Sequence, residues 1–213
     1  RTDSGRPALS KGFVDAARDA IEKNVAELEP RIRDGWDIVV AEPSDAVMFQ
    51  SDALDLRSGT SAESFAANAY GLCEYLDSFR LDENVAWAAP AESVVYHGHC
   101  HQKAEKKDHH AVGVLRRAGY AVDPLDSGCC GMAGTFGYEA EHYSLSQSIG
   151  DILVDQIEDS GADVVAAPGT SCRTQLGDSR IDPVPAESSL AGTSLDSESP
   201  PTPVELLAQA LPR

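Results

Sequence analysis

The chain has 213 residues, with 35 acidic against 17 basic side chains, so its formal net charge is −18 at neutral pH. A surface with this charge repels nucleic acid and anionic lipid, which excludes both as partners. Lysine is scarce while Asp, Ala, Gly and Ser are frequent, and we take this composition as a sign of adaptation to concentrated salt, where self-repulsion is screened. No apolar run approaches the roughly 18 residues of a membrane span and no secretory signal is visible, so we expect no transmembrane segment and a cytoplasmic location.

In the N-terminal part, hydrophobic periodicity predicts two helices separated by a short strand. The first helix covers residues 11–29 and is capped by Ser10, and the second covers residues 62–79. Between them, Gly35 precedes the apolar run "DIVVAE", which is typical of a buried strand. Cys73 falls within the apolar stripe of the second helix, and we interpret it as an ordinary core residue.

The C-terminal part alternates between strands and helices. "SVVYHGHC" predicts a strand that enters a loop at Cys100, and a helix follows over about 101–118. "YAVDPL" is the next strand and leads through the glycine-rich loop "DSGCCGMAGTFG" to a helix over about 139–159. "DVVAAP" is the last strand, with a short helix expected after Cys172. This order predicts an α/β fold with short, largely parallel sheets.

The end of the chain combines a polar stretch with one more helix. Residues 183–203 are rich in Pro, Ser and acidic side chains, which predicts an acidic, solvated loop. "PVELLAQAL" then predicts a helix, with Pro203 in its first turn and Thr202 as its cap. We therefore expect ordered structure to resume after the loop.

A weak internal repeat relates the two parts of the chain at an offset of 126 residues. Asp3–Ser4 then lies opposite Cys129–Cys130, and "GWDIVV" lies opposite "GADVVA". After a shift of one residue, Asp45 lies opposite Cys172. The first copy therefore has no cysteine at the positions where the second copy has three.

The repeat predicts two related α/β halves, at residues 1–90 and 91–213. The second half begins with a strand and Cys100, and the first half has no counterpart of this portion. We therefore expect the first half to be truncated at its N-terminus and the chain to be the C-terminal piece of a longer protein.

Five cysteines without a signal peptide argue against a disulfide framework and favour metal binding or redox chemistry. Cys100, the adjacent pair Cys129–Cys130 and Cys172 each follow the C-terminal end of a predicted strand. Because the carboxyl ends of parallel strands meet at one edge of a sheet, these four thiols can converge. Four thiolates suit either tetrahedral zinc or an iron–sulfur cluster.

The adjacent pair favours a cluster over zinc, because neighbouring thiolates reach two irons more easily than they bind one small ion. Four glycines of the loop leave room for backbone N–H groups to approach sulfide, namely Gly128, Gly131, Gly134 and Gly137. Structural zinc, a vicinal dithiol that works by exchange, and plain core thiols stay open as alternatives.

The histidines cluster near the first of these cysteines. All six lie between His97 and His142, and "YHGHCHQK" places three of them around Cys100. They are candidates for ligands, for proton carriers and for hydrogen-bond donors to sulfur. Because His99 and His101 alternate about Cys100, we expect one of them to face the cluster and take His99 as the candidate.

Three segments together, "GHC", "SGCCGMAGTFGYEAEHY" and "VVAAPGTSC", resemble the cysteine-rich CCG domain. This domain occurs in one subunit of heterodisulfide reductase and in one subunit of anaerobic glycerol-3-phosphate dehydrogenase. It also occurs at the C-terminus of FAD-linked oxidases that are fused to ferredoxin-type modules. The segments "GRPALSKGFVDAAR" and "YHGHCHQKA" are most similar to the last group. The resemblance covers nearly the whole chain and, with the acidic composition, suggests a haloarchaeal member.

The resemblance implies a ligand set. Cys100 takes the place of the lone cysteine of the family motif, Cys129–Cys130 that of its pair, and Cys172 that of the last cysteine of its C-x-x-C. The first cysteine of that C-x-x-C falls at Gly169. Four remaining thiolates suggest one ordinary four-iron cluster (4Fe-4S), to which Asp45 of the first half could add an oxygen ligand.

The implied function is iron–sulfur electron transfer within a FAD-linked oxidoreductase similar to glycolate, D-lactate or glycerol-3-phosphate dehydrogenases. An upstream flavin domain and ferredoxin-like domains, on the same chain or on separate subunits, would supply electrons. The cluster would deliver them to a quinone or a protein acceptor, with the protein in the cytoplasm or on the inner face of the membrane. The alternatives are a zinc-stabilised interaction domain and a vicinal-dithiol redox protein.

Overall fold

The computed structural model describes residues 3–179 and 199–212. Within these residues the chain forms two compact units, divided between Tyr75 and Leu76. Of the predicted acidic loop, residues 183–198 lie outside the described residues and residues 199–203 are described. In the described part, no helix has both the length and the apolar character that crossing a bilayer requires.

The first unit is mainly helical. Its elements, in chain order, are α1 (Arg6–Ser10), α2 (Val14–Arg33), β1 (Ile38–Val40), α3 (Pro43–Val47), a π-helical turn (Met48–Asp52), α4 (Ala53–Leu56), α5 (Thr60–Ala67) and β2 (Ala69–Gly71), and α6 (Leu72–Ser78) crosses the division between the units. β1 and β2 pair in parallel, with Val39 opposite Tyr70. The core is formed by apolar side chains of α2, the π-helical turn and α5, such as Ile21, Met48 and Phe65.

The sequence located the helices of this unit only in part. Ser10 ends α1 instead of capping the next helix, and α2 begins at Val14 without a side-chain cap. The predicted helix 62–79 is interrupted, because α5 ends at Ala67 and the short strand β2 follows. A three-residue strand between two helices interrupts the apolar period too briefly to be recognised from the pattern.

Burial in the first unit also differs from the expectation. β1 is not a fully buried strand, because Val39 is 41% exposed. Cys73 lies on α6 and is only half-buried, so it is not the fully enclosed core residue that its apolar stripe predicted. Both residues belong to short elements, β1 and α6, which leave part of each side chain exposed to solvent.

The second unit contains a three-stranded parallel sheet. Its further elements are β3 (Ser93–Tyr96), α7 (Cys100–Ala104), α8 (His109–Ala118), β4 (Ala121–Pro124), a 3₁₀ turn (Phe136–Tyr138), α9 (Tyr143–Ser160), β5 (Val164–Ala166), α10 (Thr170–Asp178) and α11 (Pro203–Gln209). β3 is the central strand, with β4 and β5 on either side of it, and Val94 lies opposite both Val122 and Val164. The predicted α/β fold with short parallel sheets is confirmed.

Local sequence signals explain several ends of these helices. α8 and α9 end at Gly119 and Gly161, whose left-handed backbones close each helix, as glycine at this position commonly does. α11 begins as predicted, with Thr202 as its cap and Pro203 in its first turn. Glu205 completes a capping box with Thr202, which fixes the start of the helix.

Three predictions around the cysteines need correction. The predicted helix 101–118 is two helices, because α7 ends at Ala104 and α8 begins only at His109. Cys100 is the first residue of α7 instead of a loop residue. Cys172 lies inside α10, which begins at Thr170, so the helix starts before the cysteine and not after it as predicted.

The described end of the predicted loop, residues 199–203, packs on other elements of the second unit, and Pro200 and Pro201 are buried, so this end is not solvated as predicted. Arg173 of α10 donates from Nε to the carbonyl oxygen of Pro200 at 2.7 Å. The hydroxyl of Tyr120 donates to the carbonyl oxygen of Leu206 at 2.8 Å. The chain after residue 198 therefore contacts α10, which carries Cys172, and the turn between α8 and β4.

A buried ion pair anchors α8 to the start of the second unit. The side chain of Asp82 has no exposed surface, and its Oδ2 lies 2.6 Å from Nε of Arg117. A second nitrogen of Arg117 lies 2.6 Å from Asp77. Removing one partner of such a pair leaves a buried charge without compensation, which costs more than the pair contributes.

We therefore expect Arg117→Met to lower the free energy of unfolding by about 3 kcal/mol, because the buried Asp82 side chain loses its partner. Arg80→Met is the matched control, since Arg80 is 58% exposed and its carboxylate partners lie 3.7 Å or more away. The control should change stability by no more than about 0.5 kcal/mol. Urea unfolding of both variants measures the difference, and equal effects would contradict the prediction.

Candidate metal centre

The edge of the three-stranded sheet collects four cysteines. β3, β4 and β5 end side by side, because Tyr96 is in register with both Pro124 and Ala166. The chain beyond these three ends carries Cys100, Cys129–Cys130 and Cys172, as the alternation of strands and helices predicted. The fold therefore brings residues that are far apart in sequence to one place.

The two inner cysteines are buried next to each other. Cys130 is 3% exposed and Cys172 is 2% exposed. Their sulfur atoms and a ring nitrogen of His97 all lie within 4.8 Å of one another. A soft thiolate pair with an imidazole at this spacing is a donor set that suits zinc or iron.

The two outer cysteines continue the series towards the surface. Cys129 and Cys100 are both exposed residues. The Cys129 sulfur hydrogen-bonds the Cys130 thiol, and Cys100 lies close enough to Cys129 for their charges to interact. The backbone N–H of Gly131 also donates to the Cys129 sulfur at 3.3 Å. The four thiols thus form a continuous line from the interior to the protein surface.

Three thiols of this line, those of Cys100, Cys129 and Cys130, are difficult to ionise in the metal-free protein. A hydrogen bond donated to Cys130, followed by burial, raises the pKa of Cys129 well above its ordinary value. The bond from Cys129 lowers the pKa of Cys130, but a hydrogen bond donated to Cys172 and burial outweigh it and raise the pKa to about 12. Partial desolvation of the sulfur, and then the neighbouring Cys129, raise the pKa of Cys100. The thiols therefore hold their protons until a cation displaces them.

This arrangement fits a metal centre. Four sulfur ligands converge, two of them in an apolar surrounding that includes Met132 and Leu153. A backbone donor already points at one sulfur, which is how proteins stabilise thiolate charge at iron–sulfur sites. We therefore infer that Cys100, Cys129, Cys130 and Cys172 would hold the metal or the cluster.

His97 was one of the three candidate histidines around Cys100, but the sequence did not single it out. It directly follows β3, its N–H donates to the carbonyl oxygen of Ala166 at 2.9 Å, and its side chain is 1% exposed. Burial first, and then the charge of Lys103 and the neighbour His99, lower the pKa of His97 to about 3, so its ring is neutral near pH 7. The sequence signals for His97 were the cluster of histidines around Cys100 and its position next to the end of a strand.

A short polar chain fixes the ring of His97. Nδ1 of His97 lies 2.7 Å from Oγ of Ser127, which is itself buried. Nζ of Lys103 donates to the same Oγ at 3.2 Å and to the carbonyl oxygen of Ser127 at 2.7 Å. Ser127 comes from the loop after β4 and Lys103 from α7, so two separate segments hold the ring in place.

His99, the predicted cluster-facing histidine, is buried but engaged elsewhere. Its Nδ1 accepts the N–H of His101 at 3.3 Å and so caps α7. Its ring presses against Gly169, where an added Cβ would overlap Cδ2 of His99. The structure thus places His99 in the space beside Gly169, and its contact with a cluster stays a prediction.

The glycines of the loop differ in what they allow. Gly131 has a φ of +96°, and a Cβ there would overlap the carbonyl oxygen of Ser146. Gly134 also has a positive φ, of +70°. Gly128 has neither restriction, since a Cβ there would meet no atom within 4 Å. Residue 131 therefore needs to be glycine because of its positive φ and because Ser146 of α9 leaves no room for a Cβ. The backbone N–H of Gly131 additionally donates to the Cys129 sulfur.

In the first unit, the residues that the repeat sets opposite the inner cysteines are also in contact. Oγ of Ser4 donates to Oδ1 of Asp45 at 2.5 Å. Ser4 is aligned with Cys130, and Asp45 with Cys172. Asp45 thus has a hydrogen-bond partner within its own unit, and the two-fold repeat with its limits at residues 90 and 91 stays a prediction.

Comparison with known proteins agrees with this geometry. Residues 94–177 match the family described as CCG, cysteine-rich domain. The match begins within β3 and ends within α10, so it includes all four converging cysteines. The resemblance inferred from the sequence motifs is confirmed.

Individual relatives extend the similarity over almost the whole chain. Over 216 aligned residues, 97% of the chain, it is 32% identical to one subunit of the anaerobic glycerol-3-phosphate dehydrogenase of Escherichia coli and covers 49% of that protein. It is 27% identical to D-2-hydroxyglutarate dehydrogenase of Escherichia coli, over 81% of the chain and 17% of that protein. It is 25% identical to lactate utilization protein A of Bacillus cereus, over 81% of the chain and 73% of that protein. The chain thus spans about half the length of the first of these relatives.

A pair of glycine variants tests the role of the loop. We expect Gly131→Ala to cost at least about 1–3 kcal/mol from the positive φ, with a further cost from the clash with Ser146. Gly128→Ala should be tolerated, because its Cβ meets open space. Thermal melting and the stoichiometry of bound metal measure both effects. Equal behaviour of the two variants would show that the loop does not depend on Gly131.

The buried neutral His97 predicts a pH dependence for the metal-free protein. Its pKa is about 3 when folded, against roughly 6.5 in an unfolded chain. Between these values only the unfolded chain binds the proton, so stability falls as the pH falls. We expect the free energy of unfolding to drop by about 2 kcal/mol from pH 7 to pH 5, measured with urea.

Two variants separate this effect from other titrations. His97→Asn should remove most of the pH dependence, because the group that titrates only in the unfolded chain is gone. His109→Asn changes an exposed histidine and should keep the slope of the wild type. The same slope in wild type and His97→Asn would contradict the assignment.

Proposed function

We propose that the chain is an iron–sulfur electron-transfer module of a flavin-linked dehydrogenase, in which Cys100, Cys129, Cys130 and Cys172 hold one cluster. The convergence of these four thiols at one edge of a CCG-family sheet is the observation that carries the proposal. The cluster, when bound, supplies one-electron transfer between donor and acceptor. The names of its relatives, three of them tied to dehydrogenation or lactate use, support an oxidoreductase role.

The protein groups have separable tasks in this proposal. Cys130 and Cys172 are buried and hold the inner side of the cluster away from water, which limits side reactions and influences the potential. The N–H of Gly131 stabilises negative charge on the Cys129 sulfur. Cys100 and Cys129 lie at the surface, so electrons would enter or leave on their side.

The partners follow from the proposed role. Electrons would come from an upstream flavin domain holding FAD, through ferredoxin-like domains or subunits, and pass to a quinone or protein acceptor. The substrate oxidised at the flavin would be a small hydroxy compound, such as a 2-hydroxy acid or glycerol 3-phosphate. The charge of −18 favours a cationic surface on the partner that meets the exposed cysteines and disfavours an anionic one.

Dithiol exchange is the less favoured chemistry. A reactive cysteine needs a lowered pKa, so that the thiolate is present near neutral pH. The hydrogen bond to Cys130 and burial raise the pKa of Cys129. The bond from Cys129 lowers the pKa of Cys130, but the bond to Cys172 and burial outweigh it and raise that pKa. The vicinal pair is therefore a poor nucleophile near neutral pH.

A single zinc ion is the second candidate, and one observation favours it. The sulfurs of Cys130 and Cys172 and a nitrogen of His97 lie within 4.8 Å of one another, which is close enough to share one ion. A zinc site of this kind would stabilise an interaction domain without redox chemistry. The relatives named as dehydrogenases weigh against this alternative.

Metal and sulfide analysis separates the two candidates. Protein purified without oxygen, or reconstituted with iron and sulfide, should contain both elements, show the broad visible absorbance of an iron–sulfur chromophore and give an EPR signal on reduction. Cys130→Ser should abolish the chromophore, whereas Cys73→Ser, in the first unit, should not. One zinc per chain with no acid-labile sulfide would reject the proposal.

A further inference from the structure

The two buried cysteines share their pocket with an imidazole. Cys130, Cys172 and His97 are 3%, 2% and 1% exposed, so none of the three depends on bulk water for its hydrogen bonds. Their donor atoms are mutually within 4.8 Å. In a regular four-iron cluster each iron takes one protein ligand, so donors on different irons stand further apart than donors on the same ion. The observed spacing suits three donors on one ion.

One nitrogen of the His97 ring already has a hydrogen-bond partner. Nδ1 is occupied by Ser127 at 2.7 Å, which leaves Nε2 as the nitrogen available to a metal. An oxygen of a hydroxyl has two lone pairs, so Oγ of Ser127 can accept both the Nδ1–H of His97 and an N–H of Lys103. Metal-binding histidines usually donate their second N–H to a fixed partner in this way.

The geometry points to His97 as a nitrogen ligand that binds one metal ion of the centre together with Cys130 and Cys172. This inference rests on the proposed function, because it specifies one ion of the same site. It assigns Cys100 and Cys129 to the remaining, outer part of the centre. Ser127 is then a positioning residue, which acts on the metal only through the ring of His97.

A neutral nitrogen in place of a thiolate changes the electronic character of the centre. Clusters with histidine on one iron have higher reduction potentials than clusters held by cysteine alone, because the ligand set carries less negative charge. His97→Cys would add a thiolate and should lower the potential of the loaded protein. The direction of this shift is specific to a ligand and is not expected from a packing role.

Cobalt titration of the metal-free chain tests the ligand set without requiring a cluster. Co²⁺ added under reducing conditions should bind at one equivalent, with the visible bands of a tetrahedral ion bound by nitrogen and sulfur. His97→Asn keeps a hydrogen-bonding group next to Ser127 but lacks the second ring nitrogen, so it should weaken cobalt binding and change the bands. Ser127→Ala should weaken binding by about 10–100-fold, as lost outer partners of metal ligands do.

Two controls separate loss of a metal ligand at His97 from general effects of substitution. His109→Asn alters an exposed histidine and should leave affinity and bands unchanged. Far-UV circular dichroism confirms that each variant is folded, and His97→Gln replaces His97→Asn if the latter does not fold. Unchanged cobalt affinity and unchanged bands in the folded His97 variant overturn the inference.

A second measurement distinguishes failure of the inference from failure of the proposed function. In protein loaded with iron and sulfide, pulsed EPR should show the strong ¹⁴N coupling of a directly bound nitrogen, and His97→Asn should remove it. A loaded wild-type cluster without this coupling rejects the ligand and leaves the electron-transfer proposal standing. If no cluster forms but cobalt binding depends on His97, the ligand set is supported and the electron-transfer function is rejected.

Discussion

The parallel register of three short strands is the constraint on which the site depends. β3 pairs with β4 on one side and with β5 on the other, and all three strands end at the same level. Without this pairing, nothing would bring Cys100, Cys129 and Cys172, which are far apart in the sequence, close together in space. The buried hydrophobic residues of the strands, such as Val94 and Val164, therefore stabilise the arrangement of the candidate metal centre.

Around that edge, polar contacts between loops take over from the sheet. Lys103 and Ser127 connect the segments after β3 and β4, and both bear on the ring of His97. The loop after β5 meets the loop after β3 through Gly169 and His99. Each loop is thus held by another one, which gives the thiols fixed positions before any metal binds and reduces the ordering cost of binding.

The sequence was sufficient for what depends on strong periodicity and on strand order. It predicted the parallel α/β fold and the meeting of four cysteines at one edge, because alternating strands and helices leave few possible topologies. It did not reveal the break between α7 and α8. Lys106 adopts a positive φ of +56° there, and no glycine or asparagine at this position signals such a turn. It selected His99 from the alternation of His99 and His101 about Cys100. Alternation along the chain does not show which histidine lies beside Cys130 and Cys172 after folding, and this residue is His97.

The close fit of Gly169 against His99 limits how this site can change over evolutionary time. A cysteine at residue 169 would need the volume that the imidazole now fills, and a smaller residue at 99 would leave that volume empty. Each substitution is harmful alone and acceptable only with the other. The two positions should therefore change as a pair, and an ancestor with a different residue at one of them should differ at both.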